Sequence, residues 1–164
     1  MNRIAPKSLG LGPLIGVVLA ALLVGAAAGC APEERPAPDR TVETVDGNGL
    51  SAFELEHGIG PFTEVVEITG PVDPELARQG KEIYQMNCEA CHRMEQRFVG
   101  PPMGDVLERK SVTYILNQIT NPEQMAREHP EGQRLVQEYM SIMPDQGITK
   151  DQARAIVEYL RSLD

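Results

Sequence analysis

Cysteine is scarce in this chain of 164 residues, with three in all. Cys88 and Cys91 stand in one short motif, which leaves Cys30 alone. Cysteines divided in this way offer no disulfide framework. Histidine is equally scarce, at His57, His92 and His129. Basic charge is also short, 15 Lys+Arg against 24 Asp+Glu. That balance argues against a nucleic-acid partner, which needs a basic patch. It is compatible with steering toward a basic protein surface, or with solubility alone. No internal repeat is present.

Charge of either sign is absent between Lys7 and Glu33. Arg3 and Lys7 precede a stretch, Leu9 to Ala28, that is almost wholly apolar. This is the pattern of an export signal. An uncleaved span is the alternative, since the stretch is long enough to cross a bilayer. The small residues Gly25-Ala26-Ala27-Ala28-Gly29 before Cys30 favour cleavage. Ala27-Ala28-Gly29-Cys30 resembles a bacterial lipoprotein processing site, although such sites usually carry leucine where Ala27 stands. Cys30 is therefore expected to become a lipid-bearing first residue that tethers the chain to a membrane. Loss of Arg3 and Lys7 leaves 13 basic against 24 acidic residues, a net charge of −11.

Four regions follow from composition. Residues 1–29 form the signal, and 30–48 a proline-rich charged linker with nothing to bury. Residues 49–71 form an extended segment with a turn at Gly58-Ile59-Gly60-Pro61 and a possible short strand at Thr63 to Thr69. One strand makes no sheet, so this segment is expected on the domain surface or on a partner. Residues 72–164 form the compact domain, and its periodicity is helical throughout. Asp73-Pro74-Glu75 is a helix start, with Leu76, Gly80, Ile83 and Tyr84 on one face. A second helix is predicted over Ser111 to Thr120, ended by Asn121-Pro122. Residues 122–130 read as a loop or short helix, and a helix follows over Glu131 to Ser141. Thr149-Lys150-Asp151-Gln152 is a capping box. It opens a last helix with apolar residues at Ala153, Ile156, Val157, Leu160 and Leu163.

Cys88-Glu89-Ala90-Cys91-His92 carries the chemistry. C-x-x-C-H is the attachment pattern of a c-type haem. One turn of backbone presents both thiols to one edge of the macrocycle, where they form thioethers, and the adjacent His92 binds the iron. A zinc site needs two further ligands and finds no more cysteine in the domain. A thioredoxin-like dithiol would sit in a βαβ pattern, which is missing. The sixth ligand has several candidates. Met94 is too close to His92 in the chain. Met103 follows the stiff Val99-Gly100-Pro101-Pro102 turn and suits the His92 side. Met140 fits a helical core stripe, and His129-Pro130 is exposed in character. Met143 precedes Pro144 in a non-helical stretch before the last helix, where proline stiffens the loop. Met143 is the preferred ligand, with Met140, His129 or an open site as alternatives.

The stretch from Pro71 to Leu163 resembles a class I cytochrome c, with an N-terminal helix, C-x-x-C-H, a Gly-Pro turn, a Met loop and a C-terminal helix in that order. The resemblance implies an all-α fold wrapped around one covalent haem c, and an electron carrier rather than an enzyme. It implies that Gly80 and Tyr84 meet Tyr159 and Leu160 at a helix crossing. It also implies that the Pro101 carbonyl accepts the Nδ1 proton of His92 and that Met103 packs on the haem. Gly58 to Pro61, Arg97 to Pro101, Asn121 to Met125 and Met143 to Gln146 are similar to a narrower group, the bacterial lipoprotein monohaem cytochromes. That group includes the monohaem subunit of alternative complex III. It implies a lipid-anchored protein on the periplasmic side of the inner membrane. The expected partners are respiratory-complex subunits or other cytochromes, and electrons would pass from quinol oxidation toward a terminal oxidase. It also implies that Tyr114 reaches a haem propionate. A free-standing anchored shuttle and an open-haem sensor or enzyme are the alternatives.

Overall fold

Asp73 begins the principal helix as expected: its carboxylate accepts from the Glu75 and Leu76 backbone N–H groups, and Pro74 occupies the first turn. In the computed structural model the described residues are 47 and 49–163. They contain helices and no strand. The order is α1 (Ala52–His57), α2 (Pro74–Asn87), α3 (Val106–Arg109), α4 (Val112–Thr120), α5 (Pro122–Glu128), α6 (Pro130–Tyr139) and α7 (Lys150–Arg161). None of these helices is long and apolar enough to cross a membrane. The signal over 1–29, Cys30 and nearly all of the 30–48 linker lie outside the described residues.

α2 and α7 make the largest helix–helix contact. Its cause is Gly80. A Cβ on that residue would lie 1.8 Å from the Ala155 carbonyl oxygen, so only glycine lets the two backbones approach so closely. The crossing partner of Gly80 is thus Ala155–Ile156, four residues before the expected Tyr159 and Leu160. Tyr84 does meet Tyr159, with ring centroids 5.5 Å apart. Gly80→Ala should destabilise the protein by at least about 1–3 kcal/mol, the range for overpacking, because backbone cannot swing aside as a side chain can. Equilibrium denaturation of the haem-loaded protein measures it.

Ile156, Val157 and Leu160 of α7 join Ile115, Leu116 and Ile119 of α4 in the main core. Leu163 does not continue the stripe and is exposed. The capping box at Thr149 is formed, with Gln152 reciprocating. α5 fills the stretch expected as a loop or short helix, and α3 is a single short turn of helix not predicted from the sequence.

The segment 49–71 departs from expectation. It holds a helix, α1, with its own capping box of Ser51 and Glu54, and the Thr63–Thr69 strand does not form. Its first half delivers Leu50, Ile59 and Phe62 to the interior, while 63–71 lies largely on the surface as expected. Its backbone polar groups are satisfied by α4. Asn117 donates to the His57, Gly58 and Phe62 carbonyls and accepts from the Phe62 N–H. Thr113 accepts from the Val66 N–H at 2.7 Å. These side chains stand in for the missing sheet partner.

Met140 is a second correction. It is 86% exposed and caps α6 with φ 51°, so it belongs to no core stripe. A left-handed residue at this position favours glycine. Met140→Gly should therefore raise stability by about 0.5–1 kcal/mol, the conformational penalty removed, as read by thermal denaturation. A buried methionine at this position would give a loss instead.

Candidate functional site

The last turn of α2 delivers the motif. Cys88 accepts at its carbonyl from the Cys91 and His92 N–H groups, at 3.0 and 2.9 Å. One tight turn thereby holds both thiols and the imidazole. The chain then folds back on itself. Gly100, Met103 and Gly104 donate to the carbonyls of Cys91, Arg93 and Met94. This brings Pro101 beside His92, whose Nδ1 donates to the Pro101 carbonyl at 3.0 Å. Gly100 packs against the ring face, where a Cβ would lie 2.5 Å from Cε1 of His92. Burial holds the His92 pKa below the ordinary histidine value, opposed by the Pro101 bond. The ring is neutral at pH 7, and Nε2 keeps its lone pair for a metal.

His92 opens onto a cavity of about 520 Å³, a volume suited to a cofactor. Cys88, Cys91, Pro101, Met103, Tyr114 and Met143 line the same cavity. Every residue singled out from the domain sequence for cofactor binding is therefore gathered in one place. Leu135 and Val136 of α6 add apolar wall, as do Ile115 and Ile119 of α4. Burial pushes the Cys88 thiol up to about 11, so the unattached thiol stays protonated at neutral pH.

Met143 arrives from the loop between α6 and α7, and the Gln118 amide donates toward its sulfur at 3.8 Å. Met140 is absent from the cavity lining. His129 is buried, contrary to its exposed appearance in sequence. Its Nε2 reaches the Leu55 carbonyl at 3.2 Å, its Nδ1 accepts from the Glu131 N–H, and its ring packs on Tyr114. Both ring nitrogens are committed to the fold, which leaves neither for a metal.

Three buried side-chain polar atoms lack a hydrogen-bond partner among the described residues: the hydroxyls of Tyr84 and Tyr114, and Oε1 of Gln118. All three residues line this cavity. Such orphans are rare in a folded interior. Two of them are hydroxyls, which can donate to a carboxylate, and their residues border an apolar, thiol-edged cavity, so the residues present fit a covalently held haem with its propionates. The cytochrome c family profile matches residues 77–164, more than half of the chain. The chain belongs to the cytochrome c family.

This cytochrome c is similar to solved structures from Rhodothermus marinus. One, cytochrome c, is 42% identical with a TM-score of 0.63, the match covering 67% of this chain and 94% of that one. An engineered form is 41% identical, also with a TM-score of 0.63, over 67% and 95% of the two chains. The same engineered form bound to a carbene intermediate is 41% identical, with a TM-score of 0.60 over the same shares. No curated protein matches the chain. The all-α fold and one covalent haem c follow from family membership, and haem-based electron transfer is the activity of the family.

Gln118 was not among the residues singled out from sequence, and Tyr84 was expected only at the helix crossing, not at the cavity. Gln118 lies one turn after Tyr114 on α4 and so shares its face. A polar residue between Leu116 and Ile119 was the available signal.

Proposed function

We propose that this cytochrome c is a single-electron carrier with a His/Met-ligated haem, tethered to the membrane and working within a respiratory quinol-oxidising complex. Cys88 and Cys91 would hold the haem through thioethers, and His92 and Met143 would ligate its iron. The observation that carries this reading is the presence of Met143 in the cavity that His92 faces, while Met140 and His129 are excluded from it. The haem, when bound, supplies a ferrous–ferric couple. The residues do the rest. Pro101 fixes the imidazole tautomer and makes Nε2 a better donor. The Met143 thioether is soft and favours the ferrous state, which raises the potential. Tyr114 offers its buried hydroxyl to a propionate. Met103 and the apolar walls keep water from the ring, and two filled axial positions leave no open coordination site for a substrate.

The tether and the partners rest on the sequence around Cys30 and on the motifs shared with lipoprotein monohaem cytochromes. They are tested together. Mass spectrometry of protein extracted in detergent should place the N-terminus at an acylated Cys30. Two or more chains give stable anchoring, whereas one gives marginal binding. Quinol-oxidising subunits should co-elute. A soluble protein with unmodified Cys30 would sink the tether, and an anchored protein eluting alone would indicate a free-standing shuttle.

A further inference from the structure

Helix α6 is unusual in how it is held. Gly132 is its one buried residue, and its main helical contact is with its neighbour α5. Yet it forms a cavity wall through Leu135 and Val136, and its end leads directly to Met143. Its C-terminal turn lacks apolar packing into the core. What it has is Arg97. That guanidinium donates to the Glu138 carbonyl and lies 3.6 Å from the Glu138 carboxylate. It also stacks 4.2 Å from the centroid of the Tyr139 ring. Arg97 itself belongs to the folded-back loop that carries Gly100 and Pro101 against His92. One side chain therefore joins the His92 loop to the last turn before Met143.

We propose that Arg97 is a positioning residue that clips the end of α6 to the His92 loop and so keeps Met143 on the iron. This rests on Met143 being the axial ligand. Past the clip the backbone turns through the left-handed Met140 and a proline-bounded loop. The sulfur's position thus depends on where the helix end is held. The contact uses features special to arginine: a planar fork that bonds a carbonyl while keeping a carboxylate in ion-pair range, and a flat face that stacks on a ring. Lysine supplies the charge without either.

The test uses the haem-loaded ferrous protein. At saturating carbon monoxide, the binding rate of a methionine-ligated haem is limited by loss of the methionine, so the plateau rate reports opening directly. Arg97→Ala should raise that plateau about tenfold, the scale expected for losing a stacked, charge-assisted contact. Arg97→Lys should recover only part of the difference, and Tyr139→Leu should give a smaller rise with the ionic contact intact. Salt near about 1 M should speed opening of the wild type but not of Arg97→Ala. A purely structural role would lower the melting temperature and leave the plateau unchanged. Met143→Ala is the control and should bind without a plateau. If it does so while Arg97→Ala matches the wild type, the clip is refuted and the ligand stands. If Met143→Ala stays closed to carbon monoxide, the ligand assignment falls and the clip with it.

Discussion

Met143→Ala is expected to open the iron. The ferrous variant should bind carbon monoxide rapidly, and the ferric variant should lose the red band of sulfur-to-iron charge transfer. The reason is positional. Met143 shares a cavity with His92, Cys88 and Cys91, whereas Met140 and His129 do not line it and Met103 lies in the loop folded back beside His92. Met140 is 86% exposed at a helix end, so Met140→Ala should leave the iron closed. It should also cost less than about 0.5 kcal/mol, as surface substitutions do. His129 caps α6 and holds the Leu55 carbonyl. Its removal should cost stability, about 0.5–2 kcal/mol for a lost cap, without opening the haem. Met143→His should restore six-coordination at a lower potential, because imidazole supports ferric iron better than a thioether does. Should Met143→Ala keep its band and exclude carbon monoxide, the ligand must come from another lining residue.

The second large effect concerns attachment. Cys88→Ala combined with Cys91→Ala is expected to abolish covalent haem and with it the cooperative fold. The cavity explains why. Empty space in a protein interior costs about 24 cal/mol per Å³. Over the roughly 520 Å³ here that would be on the order of 12 kcal/mol. The mouth admits water, so the true penalty is smaller. Even half of it matches the whole stability of a typical small domain, about 5–15 kcal/mol. The side chains that face the cavity, among them Tyr84, Tyr114, Ile115 and Ile119, cannot collapse to fill it, because α4 is already fixed to α7 and to the 49–71 segment. Circular dichroism should show reduced helix and a broad thermal transition. Single substitutions should leave one thioether and a shifted spectrum. A double variant with a sharp, native-like transition would show that the domain folds without its cofactor.

Local chemistry made much of the protein readable in advance. The C-x-x-C-H motif states its own geometry, because thiols at that spacing share one turn with the following histidine. α2, α4 and α7 were legible because each starts with a capping side chain and carries an apolar stripe at helical spacing. Met143 could be favoured because its neighbours, Pro144 and the Thr149 cap, mark a loop. Long-range pairing was not readable in this way. The 49–71 segment was expected on the domain surface or on a partner because a lone strand has no sheet to join. Its first half reaches the interior because Asn117 and Thr113, hidden in the middle of α4, satisfy part of its backbone. A single sequence gives no sign that two polar side chains in an apolar helix face will find backbone groups 47 and 60 residues away, an N–H for Thr113 and a carbonyl for Asn117. His129 misled for the same reason: its neighbours are polar, but its partners, Leu55 and Tyr114, come from distant elements. Gly80 announced a close approach without naming the residue approached, since the register of α7 on α2 is decided by packing along the whole crossing. The sequence by itself determined the cofactor, its attachment and the helices that flank it, because each depends on neighbours within a turn or two. Only the tertiary structure decided that Met143 and Met103 line the cavity and Met140 does not, what the N-terminal segment covers and where Arg97 reaches, because those are contacts between elements that the chain brings together only on folding.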